Sequence, residues 1–370
     1  MTSDQKIKAD GPTYMILIPS LGVGGTEKQV TLLANELKRK LVKLEIVAFR
    51  GGFYEEIFKE LNLPYSVLSS KRTTGILNKS ETWLKGLFLI LGKKPTYLDA
   101  FLPEAAIFGS LVKLISRGKI KLIVNRRSSV DYRGRHYLAS VLDRFASKYA
   151  DILTVNSLTL KSEIAELDNI DFNKIKLTPN LIQLPKLNQQ EKKFVLSRVL
   201  CVANFETRKG HIYLLEALKI LKERDFSPIV NLVGRGSLLL PLKKFVTDNN
   251  LENVFFKTDV DDCHELYLDA DLFVSPSLSE GMSNSLLEAM SYAIPCVGTD
   301  VSGTREMLED CGILVQPSNS KELAGALEHI LSDAARSFNI GQAGRQRLLD
   351  YSENKEMLRL RIELVSSRGN

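Results

Sequence analysis

Short apolar runs alternate with longer amphipathic stretches along most of the chain. Tyr14–Pro19 and Val199–Asn204 are two of the runs, and each is followed by a turn that contains glycine and then by leucines at helical spacing. Strands that alternate with helices in this way form parallel sheets covered on both faces, so the pattern predicts an α/β fold. Further strands are predicted at residues 43–49, 120–124, 152–156, 229–233 and 254–260.

The length of the chain indicates two domains. Its 370 residues, 44% of them hydrophobic, exceed what one hydrophobic core usually supports. A polar run at residues 188–193 is either the hinge between the domains or a plain surface loop. We therefore predict domains at residues 1–188 and 189–352, followed by an amphipathic helix within residues 353–370.

Charge is divided unevenly along the sequence. Residues 1–190 carry 29 Lys and Arg against 18 Asp and Glu, a net charge of +11, and residues 191–370 carry 21 against 26, a net charge of −5. The basic residues of the first half suit anionic lipid headgroups or a polyprenyl-diphosphate acceptor, with ordinary solvated charge as the alternative. No motif indicates nucleic acid binding.

The cysteines and the lack of long apolar segments indicate where in the cell the protein is expected to lie. The four cysteines lack the spacing of zinc sites, so buried reduced thiols are expected. Residues 1–12 are polar and charged, and no apolar stretch approaches the roughly 20 residues that span a bilayer. The sequence therefore predicts a cytoplasmic protein, with its basic first half able to contact the inner face of the plasma membrane.

One segment combines a buried strand with a polar turn and a new helix. Ala270–Ser277 is an apolar run ended by turn formers, which predicts a strand that ends near Pro276. Ser283 or Asn284 can then cap a helix, whose free amide groups give its start a partial positive charge. A diphosphate is the kind of ligand that suits such a helix start.

Two glutamates lie eight positions apart across this turn and helix. Glu280, on the loop, can accept hydrogen bonds from sugar hydroxyls or support positive charge at an anomeric carbon. Glu288, inside the helix, can accept both hydroxyls of a ribose. For either glutamate alone, a helix-dipole contact or simple solvation is the alternative.

The spacing of Glu280 and Glu288, with seven residues between them, resembles the signature of the retaining glycosyltransferases of family 4. Similarity is strongest over residues 199–316. The resemblance implies the GT-B fold, in which two Rossmann-like parallel-sheet domains face each other across a cleft. It assigns Glu280 to the donor sugar and Glu288 to the ribose. The intervening segment is expected to bind the donor through Gly281, Met282, Ser283 and Asn284.

The same resemblance implies a role for each domain. Residues 1–188 would bind the acceptor and residues 189–352 the nucleotide-sugar donor. The helix within residues 353–370 would cross back to the first domain or end on the second.

A glycine-rich loop follows the first predicted strand and suggests contact with phosphate. The dinucleotide fingerprint fails there because its third glycine is missing where Glu27 stands, which disfavours a dehydrogenase. In the family, a Gly-Gly-x-Glu loop reaches towards the donor phosphate and the acceptor. The resemblance thus implies donor contacts for Gly24 and Gly25 and an acceptor contact for Glu27, with a tight structural turn as the alternative.

Two adjacent cations, Arg208 and Lys209, precede a glycine at the turn after Val199–Asn204, and this arrangement suits a diphosphate. In the family a lysine here neutralises the leaving nucleoside diphosphate together with an arginine. Lys209 matches that lysine, whereas Asn204 occupies the usual arginine position, so Arg208 is the candidate substitute. The predicted catalytic residues are Lys209, Arg208 and Glu280, with a solvated basic turn as the alternative for the two cations.

Four further positions bear on the predicted sites. Gly234 and Gly236 follow a strand, and their missing side chains permit the close approach of a base or a phosphate. Where many family members have a histidine near the sugar, this chain has Phe101. Glu104 would contact the acceptor or belong to the loop surface.

The resemblance implies a retaining, metal-independent glycosyltransferase without a cofactor, which moves a sugar from a nucleoside-diphosphate sugar to a glycan or lipid-linked glycan. Assembly of cell-envelope polysaccharide is the expected setting. One alternative is a GT-B sugar-nucleotide 2-epimerase, which would need titratable acid and base groups in its cleft. Another is a non-catalytic nucleotide-sugar-binding protein, suggested by Phe101 and Asn204.

Overall fold

A computed structural model of the chain describes residues 14–40, 42–69, 76–127, 137–186, 197–258, 260, 262–353 and 356–366. The described residues form two compact units. The first takes residues up to Leu181 together with the last described helix, and the second begins at Ile182. The predicted hinge at residues 188–193, the boundary between residues 188 and 189 and the polar residues 1–12 lie outside the described residues.

The first unit is a parallel sheet with helices on both faces. Its strands are β1 (Tyr14–Ser20), β2 (Leu44–Arg50), β3 (Tyr65–Ser69), β4 (Tyr97–Phe101), β5 (Lys121–Arg126), β6 (Ile152–Val155) and β7 (Ile175–Leu177). Its helices are α1 (Gly25–Arg39), α2 (Tyr54–Glu60), α3 (Ile76–Lys93), α4 (Pro103–Ile115), α5 (Tyr137–Tyr149) and α6 (Leu158–Asp168), with a 3₁₀ turn at Phe172–Lys174. The strands are ordered β3-β2-β1-β4-β5-β6-β7.

The second unit repeats this architecture. Its strands are β8 (Arg198–Val202), β9 (Ile229–Val233), β10 (Val254–Lys257), β11 (Leu272–Ser275), β12 (Cys296–Thr299) and β13 (Ile313–Val315), in the order β10-β9-β8-β11-β12-β13. Its helices are α7 (His211–Lys222), α8 (Leu239–Asp248), α9 (His264–Asp269), α10 (Asn284–Ser291), α11 (Ser302–Leu308), α12 (Ser320–Leu331) and α13 (Ala334–Glu353). The last described helix, α14 (Glu356–Ser366), belongs to the first unit.

Each sheet separates two hydrophobic cores. In the first unit, one core contains Leu33 of α1 and Met357 of α14, and the opposite core contains Ile90 of α3 and Phe108 of α4. Central strands such as β11 are buried along their whole length, which explains their continuous apolar sequences. The prediction of an α/β fold with two parallel sheets is confirmed.

Strand order reverses once in each sheet, between β1 and β4 and between β8 and β11. The helices that follow these paired strands leave towards opposite faces of the sheet. Ligands of open α/β sheets bind outside the carboxyl ends of the strands at such a point. The fold therefore predicts that ligands bind at the loops that follow β1, β4, β8 and β11.

A buried ion pair attaches α14 to the first sheet. The Arg361 guanidinium is fully buried, and its Nε donates to Asp99 Oδ2 on β4 at 2.9 Å. Its Nη2 donates to Asn125 Oδ1 on β5 at 2.6 Å, and the Tyr14 hydroxyl of β1 also donates to Asp99. Three strands and one helix thus share a single polar network inside an apolar core.

None of the four cysteines forms a disulfide, and three of them are buried. Burial raises the pKa of the Cys201 thiol to about 12, so this group stays protonated and behaves as an apolar side chain. Within the described part of the chain, no helix has both the length and the apolar character needed to cross a membrane.

Candidate functional site

The loop after β8 lies directly against the loop after β11. Its residues Thr207–Lys209 form a 3₁₀ turn, and Gly210 follows with a positive φ of 66°. A Cβ atom on Gly210 would lie only 1.9 Å from the carbonyl oxygen of Pro276. Both the backbone conformation and the close approach therefore require glycine at this position.

This contact brings Lys209 and Glu280 together, 71 positions apart in sequence. The Lys209 ammonium forms an ion pair with Glu280 Oε2, and each side chain is only 11% exposed. Ser277 Oγ donates to the same carboxylate oxygen at 3.3 Å. Leu278 N donates to the Arg208 carbonyl oxygen at 2.7 Å, so the backbone also ties the two loops together.

Arg208 lies at the edge of this pair. Its Nη1 is 3.8 Å from Glu280 Oε2, whereas its Nε donates to Glu206 Oε2 at 3.2 Å. The Arg208 side chain is half exposed, and Asn204 is exposed in the same loop. Arg208 is thus near enough to add positive charge beside Lys209, but it is less firmly positioned.

The start of α11 supports the Glu280 loop from the other side. Ser302 Oγ donates to the Glu280 carbonyl oxygen at 2.8 Å, and Thr299 Oγ1 donates to the Ser277 carbonyl oxygen. A Cβ atom on Gly303 would overlap the carbonyl oxygen of Gly281, at 1.1 Å. Gly303 therefore permits α11 to pack on the loop, and the loop is held through its backbone.

Helix α10 begins where the sequence predicts. Ser283 is its N-cap, and the Ser283 Oγ accepts from Leu286 N at 3.4 Å. Asn284 is the first helical residue, whereas the Met282 side chain is 4% exposed and packs in the core. Any donor contact by Met282 would therefore come from its backbone.

Glu288 is held by a tyrosine that the sequence analysis does not assign to the site. The hydroxyl of Tyr267, on α9, donates to Glu288 Oε2 at 2.9 Å. Burial raises the pKa of Tyr267 well above its ordinary value, so the hydroxyl remains a donor. The Tyr267 ring stacks on Tyr292 with centroids 5.1 Å apart. No local spacing could reveal this partner, which lies 21 positions from Glu288.

The Gly-x-Gly segment after β9 packs on the loop that bears Lys209. A Cβ atom on Gly234 would lie 2.1 Å from the Ala203 carbonyl oxygen, and one on Gly236 would lie 2.4 Å from the Phe205 carbonyl oxygen. Because these glycines have no side chain, the backbone at Ala203 and Phe205 can pack directly against them. Contact with a base or a phosphate stays a prediction for the backbone atoms of this segment.

His211 lies next to the cationic turn but is sequestered. The ring is 2% exposed and packs edge-on against Phe205 at 5.0 Å. Burial, reinforced by the charge of Lys209, lowers the pKa of His211 to about 4, so the ring is neutral at physiological pH. In the described residues, His, Cys, Asp and Glu form no cluster of three or more that could hold a metal ion.

In the first unit, the loop after β1 folds back on itself. The Glu27 side chain is 8% exposed and accepts from Ser20 Oγ at 3.3 Å. A Cβ atom on Gly24 would lie 2.5 Å from Glu27 Oε2, so the glycine makes room for the carboxyl group. Gly25 is the first residue of α1. The three predicted residues therefore form one compact turn at the end of β1.

We expect Glu27→Gln to change how stability depends on pH. Burial raises the pKa of the Glu27 carboxyl above its ordinary value, so the folded state favours the protonated form. The stability gained from this group is present below the unfolded pKa and is lost as the pH rises through the folded pKa. Glutamine keeps the shape without a charge, so in urea titrations the variant should gain stability over wild type as the pH is raised from about 4 to about 8.

Glu36→Gln is the matched control, because Glu36 lies on the same helix and its side chain is 35% exposed. Its urea titrations at the same two pH values give the change that the loss of a more exposed glutamate causes. A Glu27→Gln variant that loses stability relative to wild type on going to high pH would contradict the account.

The end of β4 carries Phe101 and, shortly after, Glu104. The Phe101 ring is fully buried, and the Arg127 guanidinium lies 5.7 Å from its centroid. Glu104 forms an ion pair with Arg50 of β2 at 3.0 Å, with side chains 26% and 34% exposed, respectively. Arg50 is a further residue that the sequence analysis does not assign to the site.

Comparison with known proteins finds a family match within the second unit. Residues 197–333 match the family model described as glycosyl transferases group 1. The amylovoran biosynthesis glycosyltransferase AmsK of Erwinia amylovora is 25% identical over 301 residues, which cover 76% of this chain and 68% of that protein. The UDP-Gal:alpha-D-GlcNAc-diphosphoundecaprenol alpha-1,3-galactosyltransferase of Escherichia coli is 32% identical over 143 residues, covering 35% and 37% of the two chains.

A solved structure, Anabaena HepE in complex with UDP and glucose, superposes with a TM-score of 0.83 at 18% identity, covering 96% of this chain and 100% of that one. At that identity the likeness concerns the fold, which agrees with the two parallel sheets described above. Together these findings show that the chain has the GT-B fold and that its residues 197–333 match the glycosyl transferases group 1 family.

Proposed function

We propose that this protein is a retaining, metal-independent glycosyltransferase of family 4. It would transfer a sugar from a nucleoside-diphosphate sugar to a glycan or lipid-linked glycan during assembly of cell-envelope polysaccharide. The second unit would bind the donor and the first unit the acceptor, through Glu27 and Glu104. We place the protein in the cytoplasm, at the inner face of the plasma membrane.

The observation that carries this proposal is the pairing of Lys209 with Glu280 at the switch point of the second sheet. A cation and a carboxylate are held there on two loops that the backbone joins. The start of α10 and Glu288 follow on the same chain segment. This set supplies positive charge for a diphosphate and acceptors for sugar hydroxyls within a few residues of each other.

In the proposed reaction, the bond between the sugar and the diphosphate breaks and negative charge grows on the departing oxygen. Lys209, aided by Arg208 and the amide groups at the start of α10, would stabilise that charge. Glu280 would accept hydrogen bonds from the sugar and stabilise positive charge at the anomeric carbon. Because Glu280 and Lys209 neutralise each other in the structure described here, the incoming diphosphate would take over part of the lysine's interaction.

The relatives support a sugar nucleotide and a lipid-linked acceptor. The Escherichia coli relative is named for a UDP-galactose donor and a diphosphoundecaprenol-linked acceptor. The Anabaena structure contains UDP and glucose. We therefore expect a uridine nucleotide to be a productive first choice in assays of this protein.

Two other functions make different predictions in one assay. A 2-epimerase would need an accessible acid or base, and the neutral, buried His211 does not provide one. A non-catalytic binder would leave the donor unchanged. Incubation with labelled UDP- and GDP-sugars separates the three: transfer or slow hydrolysis supports the proposal, whereas epimer formation or binding without turnover would refute it.

Glu288→Ala is expected to weaken donor binding by about 10- to 100-fold, because a charged acceptor for two ribose hydroxyls is lost. Tyr267→Phe should weaken binding by about fivefold, since it only frees the carboxylate that Tyr267 positions. Both variants should discriminate less between a nucleoside diphosphate and its 2′-deoxy analogue. Calorimetric titration measures these affinities.

Glu265→Ala serves as the control, because Glu265 is an exposed residue of α9. It should bind both nucleotides as wild type does. If Glu288→Ala kept wild-type affinity and wild-type discrimination, Glu288 would not be the ribose ligand.

A further inference from the structure

The outer side of the helices on one face of the first sheet is unusually apolar. Helices α3, α4, α5 and α6 contribute to one core on that face of the sheet. Seventeen large hydrophobic residues are exposed in the described part of the chain, and ten of them lie on these four helices. Those on α3, α4 and α5 are Leu84, Phe88, Leu111, Leu114, Ile115, Val141, Leu142 and Phe145.

Exposed charges on the same three helices and their flanking turns are almost all positive. Among the described side chains of residues 80–127 and 140–149, one acid is exposed, Glu81, and it pairs with Lys85. The exposed cations are Lys85, Lys93, Lys94, Arg117, Lys119, Arg144 and Lys148. Of the acids near α5, Asp143 and Asp168 are fully buried at their side chains, and Asp151, which follows the helix, pairs with Lys113 and Lys121.

Exposed apolar and basic residues lie side by side on α3 and α5, and the exposed Arg117 and Lys119 follow α4 in the next turn. On α3, Leu84 and Phe88 are 56% and 74% exposed, four residues apart, with Lys85 between them. On α5, Phe145 is 49% exposed and lies next to Arg144. Exposed large apolar side chains flanked by Lys and Arg are typical of segments that lie in a membrane interface. In such segments the apolar side chains insert among the lipid tails and the cations contact the headgroups.

We propose that this α3–α5 surface, defined by the eight apolar residues and seven cations above, docks on an anionic lipid bilayer. It would bring the first unit to the membrane in which a lipid-linked acceptor resides, and in that sense it deepens the proposed function. The excess of exposed positive charge favours anionic lipid over a second copy of the chain, because two such surfaces would repel each other.

Binding to vesicles tests the proposal without donor or acceptor, so its outcome does not depend on the nucleotide-sugar site. We expect the protein to sediment with vesicles of phosphatidylglycerol and phosphatidylcholine, and at least about tenfold more weakly with phosphatidylcholine alone. Raising the salt concentration should weaken binding, since the attraction to anionic headgroups is screened. Equal binding to both vesicle types would overturn the role of charge.

Matched variants locate the contact. The combined variant Phe88→Ser, Leu114→Ser and Phe145→Ser removes one apolar side chain from each helix and should lose at least about tenfold in binding. Arg117→Glu with Lys119→Glu should lose as much. The controls carry equally exposed changes on the second unit: Leu240→Ser, Phe255→Ser and Leu268→Ser, or Lys243→Glu with Lys244→Glu.

The proposal fails if the apolar variant binds as wild type does, or if the controls lose binding equally. It also fails if light scattering shows a dimer that the apolar variant dissociates, because the surface would then be covered by a second copy. Unchanged unfolding midpoints show that a loss of binding does not come from loss of the fold. Unchanged affinity for a nucleoside diphosphate separates membrane docking from the donor site.

Discussion

Lys209→Ala is expected to lower kcat by about 100-fold or more, with a smaller effect on donor affinity. The lysine lies at the switch point beside Glu280, where a leaving diphosphate would develop its charge. Removing one positioned electrostatic donor from such a site typically costs this much in rate. Steady-state release of nucleoside diphosphate from the productive sugar nucleotide measures the effect.

The variant also leaves the Glu280 carboxylate, which is 11% exposed, without its nearest cation. Its unfolding midpoint should therefore be compared with that of Lys209→Arg, which keeps the charge and should retain more activity. Lys219→Ala, at an exposed position of α7, is the control for loss of a lysine. Equal rates for Lys209→Ala and Lys219→Ala would remove Lys209 from the proposed mechanism.

Arg361→Ala is expected to lower the free energy of unfolding of the first unit by about 3–5 kcal/mol. Its guanidinium is fully buried and pairs with Asp99, so the substitution leaves a buried carboxylate without its cation. The Tyr14 hydroxyl and Asn125 amide that donate to Asp99 offset only part of this loss. Urea titration followed by circular dichroism measures the change.

Arg359→Ala provides the comparison on the same helix. Its side chain is 69% exposed and pairs with Glu356 and Glu363 at the surface, an arrangement worth about 0–1 kcal/mol. The two variants remove the same chemical group and differ in burial. If they destabilised the protein equally, α14 would not be held by the Arg361 network.

The central parallel strands could be predicted because both of their faces are buried. β1 and β11 are apolar along their length and end at polar turns, so composition alone marks them. The edge strand β3 was not predicted. It is only half-buried, and its five residues include two serines and no long apolar run, which makes its sequence similar to that of an ordinary loop.

The site could be predicted only as separate segments. Each loop shows its own chemistry in sequence, such as the cations at Arg208 and Lys209 or the cap at Ser283. The sequence does not show that Gly210 brings Lys209 onto Glu280 across 71 positions, because that contact depends on strand order. Strand order likewise determines that Arg50 pairs with Glu104.

The Gly-x-Gly segment after β9 does permit a close approach, but the structure shows the chain's own backbone as the neighbouring group. Gly234 and Gly236 are close to another group, as the Gly-x-Gly spacing suggests, but that group is the backbone of the Lys209 loop.

Which apolar side chains stay exposed could not be predicted from the sequence either. The sequence of α5 shows an amphipathic helix, yet only the packed structure shows that Leu142 and Phe145 face outwards.

A nucleoside diphosphate is expected to bind at the carboxyl ends of β8 and β11. The decisive measurement is a crystal structure with UDP or GDP, whichever raises the unfolding temperature more. The diphosphate should lie within hydrogen-bonding distance of Lys209 and the start of α10, with the ribose hydroxyls on Glu288. A nucleotide bound away from all three would contradict this expectation.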